Sequence, residues 1–238
     1  DQDIGPSLKS LAGKGSGRAT VALAAYLAKI WLCEGEAHSV FGPYLSTLPW
    51  APAYASTMQQ HTLWWTEAQV ATLQGTDAYD DVNAIRKEVN RAVSLLRDVL
   101  APPVRTALAR RGDLTGALSP EDAIESAVRA AFVAILSRSF QELGDGDSPA
   151  RLVPLLDLLQ HDAEPNVSHQ RVWDAESGEE IALCTARNDL PAGTELFNCY
   201  GNFPAHVFFS RFGFVPAAPD DEQEDNERPL LEDLLRAG

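Results

Sequence analysis

The apolar pattern of this chain changes period once, and that change limits the fold. Across residues 79–111, Val82, Ile85, Val89, Val93, Leu96 and Leu100 recur at helical spacing, while Arg86, Lys87, Glu88, Arg91 and Arg97 fall largely off the stripe. Ser119-Pro120-Glu121-Asp122 then reads as a helix start, with an N-cap serine, proline at the first helical position and acids in the first turn. Ile124, Ala127, Val128, Ala131, Phe132, Ile135 and Leu136 supply its buried face, and Ser137-Arg138-Ser139-Phe140 closes it. A polar loop is expected over residues 144–149. After it the helical spacing is gone. Residues 152–159 form a mostly apolar, strand-like run, and residues 170–174 and 180–187 carry alternation around a Ser177-Gly178 hairpin turn. A turn at Pro191-Ala192-Gly193, a short strand over 196–200 and a short helix over 204–209 follow. Helices first and strands afterwards predict an α+β fold and exclude a doubly wound sheet, which would alternate them.

Upstream, Thr20 reads as an N-cap for a helix carrying Val21, Leu23, Ala24, Leu27, Ile30 and Trp31 and ending near Gly35. Phe41, Tyr44, Leu45 and Leu48 come next, with Pro43 and Pro52 interrupting regular structure. An irregular aromatic stretch is expected over 50–65, then a helix over 67–73. Pro102-Pro103 is expected to break the long helix. Residues 1–18 read as a loop. Gly15-x-Gly17 lies there without the residue order or flanking strand of a phosphate loop. Beyond Pro216 the chain is acidic and polar, a solvated tail with a short helix over 230–235.

Composition excludes several functions. The 45% hydrophobic content is enough for a packed core. A formal net charge of −15 argues against free nucleic acid as a partner and favours a cationic protein segment. Cys33, Cys184 and Cys199 are far apart and form no CxxC, which disfavours a disulfide framework or a zinc knuckle and points to an intracellular, reducing location. Cytoplasm, nucleus and plastid are not distinguished. No apolar run reaches the roughly 18 residues that a membrane span needs, and no signal peptide is visible at the N-terminus.

Two segments carry the chemistry. Residues 157–166 hold Asp157, Gln160 and His161 after an apolar run, and residues 192–201 deliver Tyr200 followed by Gly201. A carboxylate, an amide, an imidazole and a phenol of this kind suit a pocket that binds a polar cofactor and orients a small-group transfer. His161 and His169 lack a third ligand at convincing spacing, so no metal is expected.

Ser137-Arg138-Ser139-Phe140, Asp157-x-x-Gln160-His161, Gly193-x-Glu195 through Tyr200-Gly201 and Arg211-Phe212-Gly213-Phe214-Val215 stand in one order. That series resembles the SET-domain protein methyltransferases, in the branch typified by the Rubisco large-subunit lysine methyltransferase, where a helical insertion splits the domain. Pro43-Tyr44-Leu45 and Leu48-Pro49 fit the same branch. The resemblance implies small β-sheets with a large helical insertion over about 55–135, within a SET-like domain over 1–216 and before an acidic tail over 217–238. It implies that Ser137 and Arg138 contact S-adenosylmethionine, and that Asp157, Gln160 and His161 hold it largely through main-chain groups. By the same resemblance Phe214 is an aromatic wall and Tyr200 the active-site tyrosine beside the methyl group and the target amine.

The sequence departs from the family at two places. Gln160 stands where Asn is usual, and a longer side chain in a tight turn would shift the backbone; Asn166 is expected to compensate with its own amide. The family's N-terminal Gly-x-Gly strand is not visible in residues 1–20, nor is its C-terminal helical substrate domain, so a truncated chain or a degenerate paralogue is expected. The leading expectation is S-adenosylmethionine-dependent methylation of lysine on a nonhistone protein, with histidine as the nearest variant acceptor. The alternative is a non-catalytic SET-like binding module.

Overall fold

The computed structural model describes residues 16–48, 50, 61–111, 119–140 and 150–217. The expected loop over 1–18 lies outside the described residues up to 15, and its residues 16–18 are helical instead. The loop over 144–149, the start of the insertion near 55 and the acidic tail from 218 onward, with its helix, also lie outside the described residues.

Helices α1 (Ser16–Lys29), α4 (Asp77–Arg111) and α5 (Pro120–Arg138) pack together and form the main core. The predicted stripes are the buried ones. Val82, Val89, Val93, Leu96 and Leu100 of α4 are buried, as are Ile124, Ala127, Val128, Ala131, Phe132 and Ile135 of α5. Alanines line both sides of the α1–α5 contact, Ala24, Ala25 and Ala28 on one helix and Ala127, Ala130, Ala131 and Ala134 on the other. Small side chains let two helix backbones approach closely, with interdigitating ridges supplying the dispersion contacts. Ser119 caps α5 as expected, its hydroxyl accepting from the Asp122 amide at 3.1 Å. Two short helices, α2 (Gly42–Leu45) and α3 (Glu67–Ala71), flank the bundle, and α3 opens with a reciprocal Thr66–Gln69 capping box.

Three expectations are corrected here. Helix α1 is already formed at Ser16, so Thr20 is an interior residue and not a cap. Pro102 and Pro103 lie inside α4, which continues to Arg111. Each interior proline costs a helix about 3 kcal/mol. That cost is offset because Leu100, Pro103, Val104 and Ala107 are buried against the neighbouring helix. Thr106 also returns its hydroxyl to the Pro102 carbonyl at 3.0 Å. Finally, residues 152–159 are not a strand. Pro154 removes a ladder donor, Leu155 adopts φ 73°, and a 3-10 turn over Leu156–Leu158 follows.

The β structure is small. Strands β2 (Val167–Asp174) and β3 (Glu179–Ala186) form the expected antiparallel hairpin. Strands β1 (Gln160–His161) and β4 (Phe197–Asn198) pair in parallel, so the whole hairpin lies in the crossover between them. The chain then turns through α6 (Ala205–Val207) into a π-helical turn, Phe208–Phe212. Among the described residues, no helix is long and apolar enough to cross a membrane.

Leu100 is fully buried in the α4–α5 seam, whereas Leu95 on the same helix is 51% exposed. Leu100→Ala is expected to lower the unfolding free energy by about 2–5 kcal/mol. Leu95→Ala is expected to cost well under about 1 kcal/mol. Urea denaturation of both variants checks the difference.

Candidate functional site

The candidate residues reach the site from five pieces of backbone: Ser137 and Arg138 from α5, Asp157 from a 3-10 turn, Gln160 and His161 from β1, Tyr200 from beyond β4, and Phe214 from beyond the π-helical turn. Helix α5 ends at Arg138 and carries Ser137 one residue earlier. The Ser137 hydroxyl donates back to the Val133 carbonyl at 2.7 Å. The chain leaves in extended geometry at Ser139, and Phe140 bridges to Arg151. The 3-10 turn that replaces the expected strand carries Asp157, a buried carboxylate. Oδ2 of Asp157 accepts from the Tyr44 hydroxyl at 2.6 Å, while Oδ1 has no partner. Nη1 of Arg138 is likewise buried without a partner.

The β1–β4 pair then brings the imidazole and the phenol together. His161 faces Asn198 across the ladder, and the Asp162 amide donates to the Asn198 carbonyl at 2.9 Å. Two residues beyond, the Tyr200 amide donates to Nδ1 of His161 at 3.1 Å. That bond makes Nδ1 the acceptor, so the proton of the neutral ring is on Nε2. Burial lowers the His161 pKa and keeps the ring neutral. The Tyr200 hydroxyl donates to the Leu159 carbonyl at 2.6 Å. Burial raises its pKa, with Arg138 acting in the opposite direction and Asp157 in the same one. The phenol is thus protonated, its proton is committed to the backbone, and its lone pairs remain to accept. Gly201 follows at φ 126°, where an added Cβ would stand 2.4 Å from the Phe203 ring. Only glycine fits behind the tyrosine.

The π-helical turn ends at Gly213 with φ 83° and directs Phe214 toward the same space. Ring centroids lie 5.2 Å apart for Tyr200 and Phe212, 6.2 Å for Tyr200 and Phe214, and 6.1 Å for His161 and Phe214. Ser137, Arg138, Asp157, Gln160, His161, Tyr200 and Phe214 all line one cavity of about 750 Å³. A volume of that size is within the usual range of small-molecule sites, roughly 300–1,000 Å³.

The two amides differ from expectation. Gln160 stands in β1 opposite Phe197, exposed at the rim, and not in a tight turn. Asn166 does not line the cavity. Its side chain donates to the Glu195 carbonyl and accepts from the Phe197 amide, both at 2.8 Å, and so clamps β4 in place. His169 packs against Phe140 on the hairpin, 4.9 Å between centroids. Among the described residues no group of three metal-ligating side chains occurs.

Sequence reasoning gave no role to three residues that shape this site. Tyr44 holds Asp157, Trp64 lines the wall, and His61 bonds to the π-helical turn at the Arg211 carbonyl. Nδ1 of His61 accepts from the Leu63 amide at 3.2 Å, so Nε2 is the donor to the Arg211 carbonyl at 3.0 Å. Burial lowers the His61 pKa to about 4. The unfolded chain takes up a proton at about pH 6.5 and the folded one does not, so stability is full above that pH and is lost as pH falls toward 4. The loss amounts to about 3 kcal/mol for a shift of this size. Urea midpoints between about pH 7 and pH 4.5 are expected to drop steeply in the native protein and less steeply in His61→Gln, which has no group to charge.

No family model matches the sequence, and no curated protein matches it. Solved structures do match. The SET domain of LSMT bound to lysine and AdoHcy aligns at 19% identity and a TM-score of 0.57, over 88% of this chain and 45% of that one. Rubisco LSMT bound to sinefungin and monomethyllysine aligns at 19% identity and a TM-score of 0.53, over 88% and 44%. The chain therefore spans less than half the length of the structures it matches. At this identity the likeness speaks to architecture, and it agrees with an α+β chain in which small sheets follow a helical bundle. The chain has the SET-domain fold, in the form seen in the Rubisco LSMT structures.

Proposed function

We propose that this chain is an S-adenosylmethionine-dependent protein methyltransferase acting on a lysine nitrogen of a nonhistone protein. One observation carries the reading: Tyr200, with its hydroxyl proton donated to Leu159, lines one cavity with His161, Phe214, Arg138 and Asp157, the last two each holding a buried side-chain atom without a partner. The neighbouring structures hold AdoHcy or sinefungin together with lysine or monomethyllysine, which supports the same chemistry here.

The residues present fit such a cofactor. It carries an ammonium and a carboxylate, and the residues lining the cavity include Asp157 and Arg138, each with one buried side-chain atom that lacks a partner. Buried polar groups left without partners are costly, and a ligand that satisfies them recovers that cost. When bound, S-adenosylmethionine supplies an activated methyl group on a sulfonium. The protein's task is alignment, since an in-line displacement needs geometry and a dry channel more than an acid–base pair. Tyr200 suits that task as an acceptor. Its lone pairs can receive weak C–H···O contacts and orient an amine. Its raised pKa argues against a role as general base. The aromatic faces of Tyr200, Phe212 and Phe214 favour a cation beside them. A lysine must first lose its proton, which costs about 4 kcal/mol near pH 7.5. Desolvation among these rings lowers that cost.

The net charge of −15 favours a substrate segment rich in lysine and arginine and disfavours nucleic acid. Cys33, Cys184 and Cys199 lie far apart in the sequence and form no CxxC, which supports an intracellular, reducing location.

Calorimetric titration with S-adenosylhomocysteine is expected to give saturable one-site binding, weakened at least about tenfold by Arg138→Ala. Absence of heat at about 1 mM ligand would instead support the non-catalytic binding module. A second test follows methyl transfer from labelled cofactor to a panel of basic, lysine-containing polypeptides. Tyr200→Phe is expected to lower the rate by about 10²-fold. Its stability should fall by only about 1 kcal/mol, for the hydrogen bond lost to Leu159. An unchanged rate removes the role assigned to Tyr200.

A further inference from the structure

We propose that Tyr44 is a positioning residue for this site, holding the Asp157 carboxylate away from the Arg138 guanidinium so that the two charges do not neutralise each other before a ligand binds. The proposal rests on the cofactor reading above and adds the device that keeps the two charges apart.

Two opposite charges lie near each other here and do not meet. Arg138 is near enough to influence both Asp157 and Tyr44 electrostatically. Even so, Nη1 of Arg138 and Oδ1 of Asp157 are each buried without a partner. Opposite charges in a poorly solvated wall attract strongly, and an unpaired one is costly. Left to itself, the carboxylate would turn and bond to the guanidinium. The Tyr44 hydroxyl prevents this by donating to Oδ2 at 2.6 Å, which fixes the plane of the carboxylate and leaves Oδ1 buried and unpaired in a residue that lines the cavity.

Tyr44 is itself anchored. It sits on α2, whose Leu45 is fully buried. Gly42 in the same turn lies so close to the Glu36 carbonyl that a Cβ there would stand 2.0 Å from the oxygen. The Thr47 hydroxyl ties back to the Tyr44 carbonyl at 2.8 Å. Burial raises the Tyr44 pKa, as do the hydrogen bond and the charge of Asp157, so the phenol remains a donor at any physiological pH. The charged or titratable groups that act on the carboxylate are Tyr44 and Arg138, and the carboxylate acts in turn on Tyr200.

The deciding experiment uses the ligand-free protein. The Asp157 side-chain carboxyl, labelled with ¹³C and assigned with Asp157→Asn, is titrated by NMR in the native protein and in Tyr44→Phe. If Tyr44 holds the two charges apart, the variant lets the carboxylate fall onto Arg138, and the titration midpoint moves down. If Tyr44 is only one more stabilising hydrogen bond, its loss moves the midpoint up; that result, or no change, overturns the proposal. In an Arg138→Gln background, with no guanidinium to meet, Tyr44→Phe should move the midpoint up, and a downward move there also overturns it. Binding gives a second arm: Tyr44→Phe should weaken S-adenosylhomocysteine roughly tenfold, with no further loss on an Asp157→Asn background. Should the native protein take up no S-adenosylhomocysteine, the methyltransferase reading falls, while the carboxyl titration still decides the role of Tyr44.

Discussion

The site depends on a parallel pairing only two residues long. Strands β1 and β4 are joined by Gln160–Phe197 and His161–Asn198 alone, across a crossover that contains the whole β2–β3 hairpin. Such a pairing is too short to stand by itself. It is held by bonds just outside the ladder: Asp162 to Asn198, the Tyr200 amide to His161, the Tyr200 hydroxyl to Leu159, and the Asn166 clamp on Glu195 and Phe197. Those bonds also set the protonation of the side chains. The imidazole is an acceptor at Nδ1 because a backbone amide points at it. The phenol presents lone pairs because a backbone carbonyl takes its proton. Strand pairing and the protonation of the candidate-site side chains are here one set of hydrogen bonds.

The helical bundle contributes rigidity and charge. Its α1–α4–α5 core ends at Arg138, delivering a guanidinium to a wall shared with the rings of Tyr200, Phe212 and Phe214. Asp157 is the opposite charge, supplied from a 3-10 turn that begins at the strained Leu155. Positive φ at a γ-branched residue is unfavourable and persists only where the surroundings impose it. Burial raises the pKa of Asp157, so its ionised form is held at some cost to stability. Functional sites commonly carry costs of this kind.

Much of this arrangement was legible in the sequence, for physical reasons that can be stated. Val82 through Leu100 and Ile124 through Ile135 betrayed their faces because burial against a neighbour imposes a period of 3.6. Ser119 and Pro120 marked a helix start because the backbone there needs a cap. The four ordered motifs brought seven residues to one cavity. What escaped was either ambiguous or non-local. An apolar run such as 152–159 has no period of its own, and its proline outweighed its strand-like composition. Tyr44 and Asp157 are separated by 113 positions, and His61 and Arg211 by 150. No local pattern announces contacts of that span. Pro102 and Pro103 were read by propensity, and tertiary packing prevailed.

Those prolines leave a mark on how the molecule holds together. A proline carries no amide hydrogen, so the carbonyls of Asp98 and Val99 have no ordinary helical donor four residues on. The ladder of α4 is thus interrupted between its longer first portion and the segment that carries Val104 and Ala107. Cooperativity along a helix travels through that ladder. With two rungs missing, the final turns are joined to the rest mainly through side chains facing α5. Val104, fully buried in the main core, therefore holds these final turns where the backbone ladder does not.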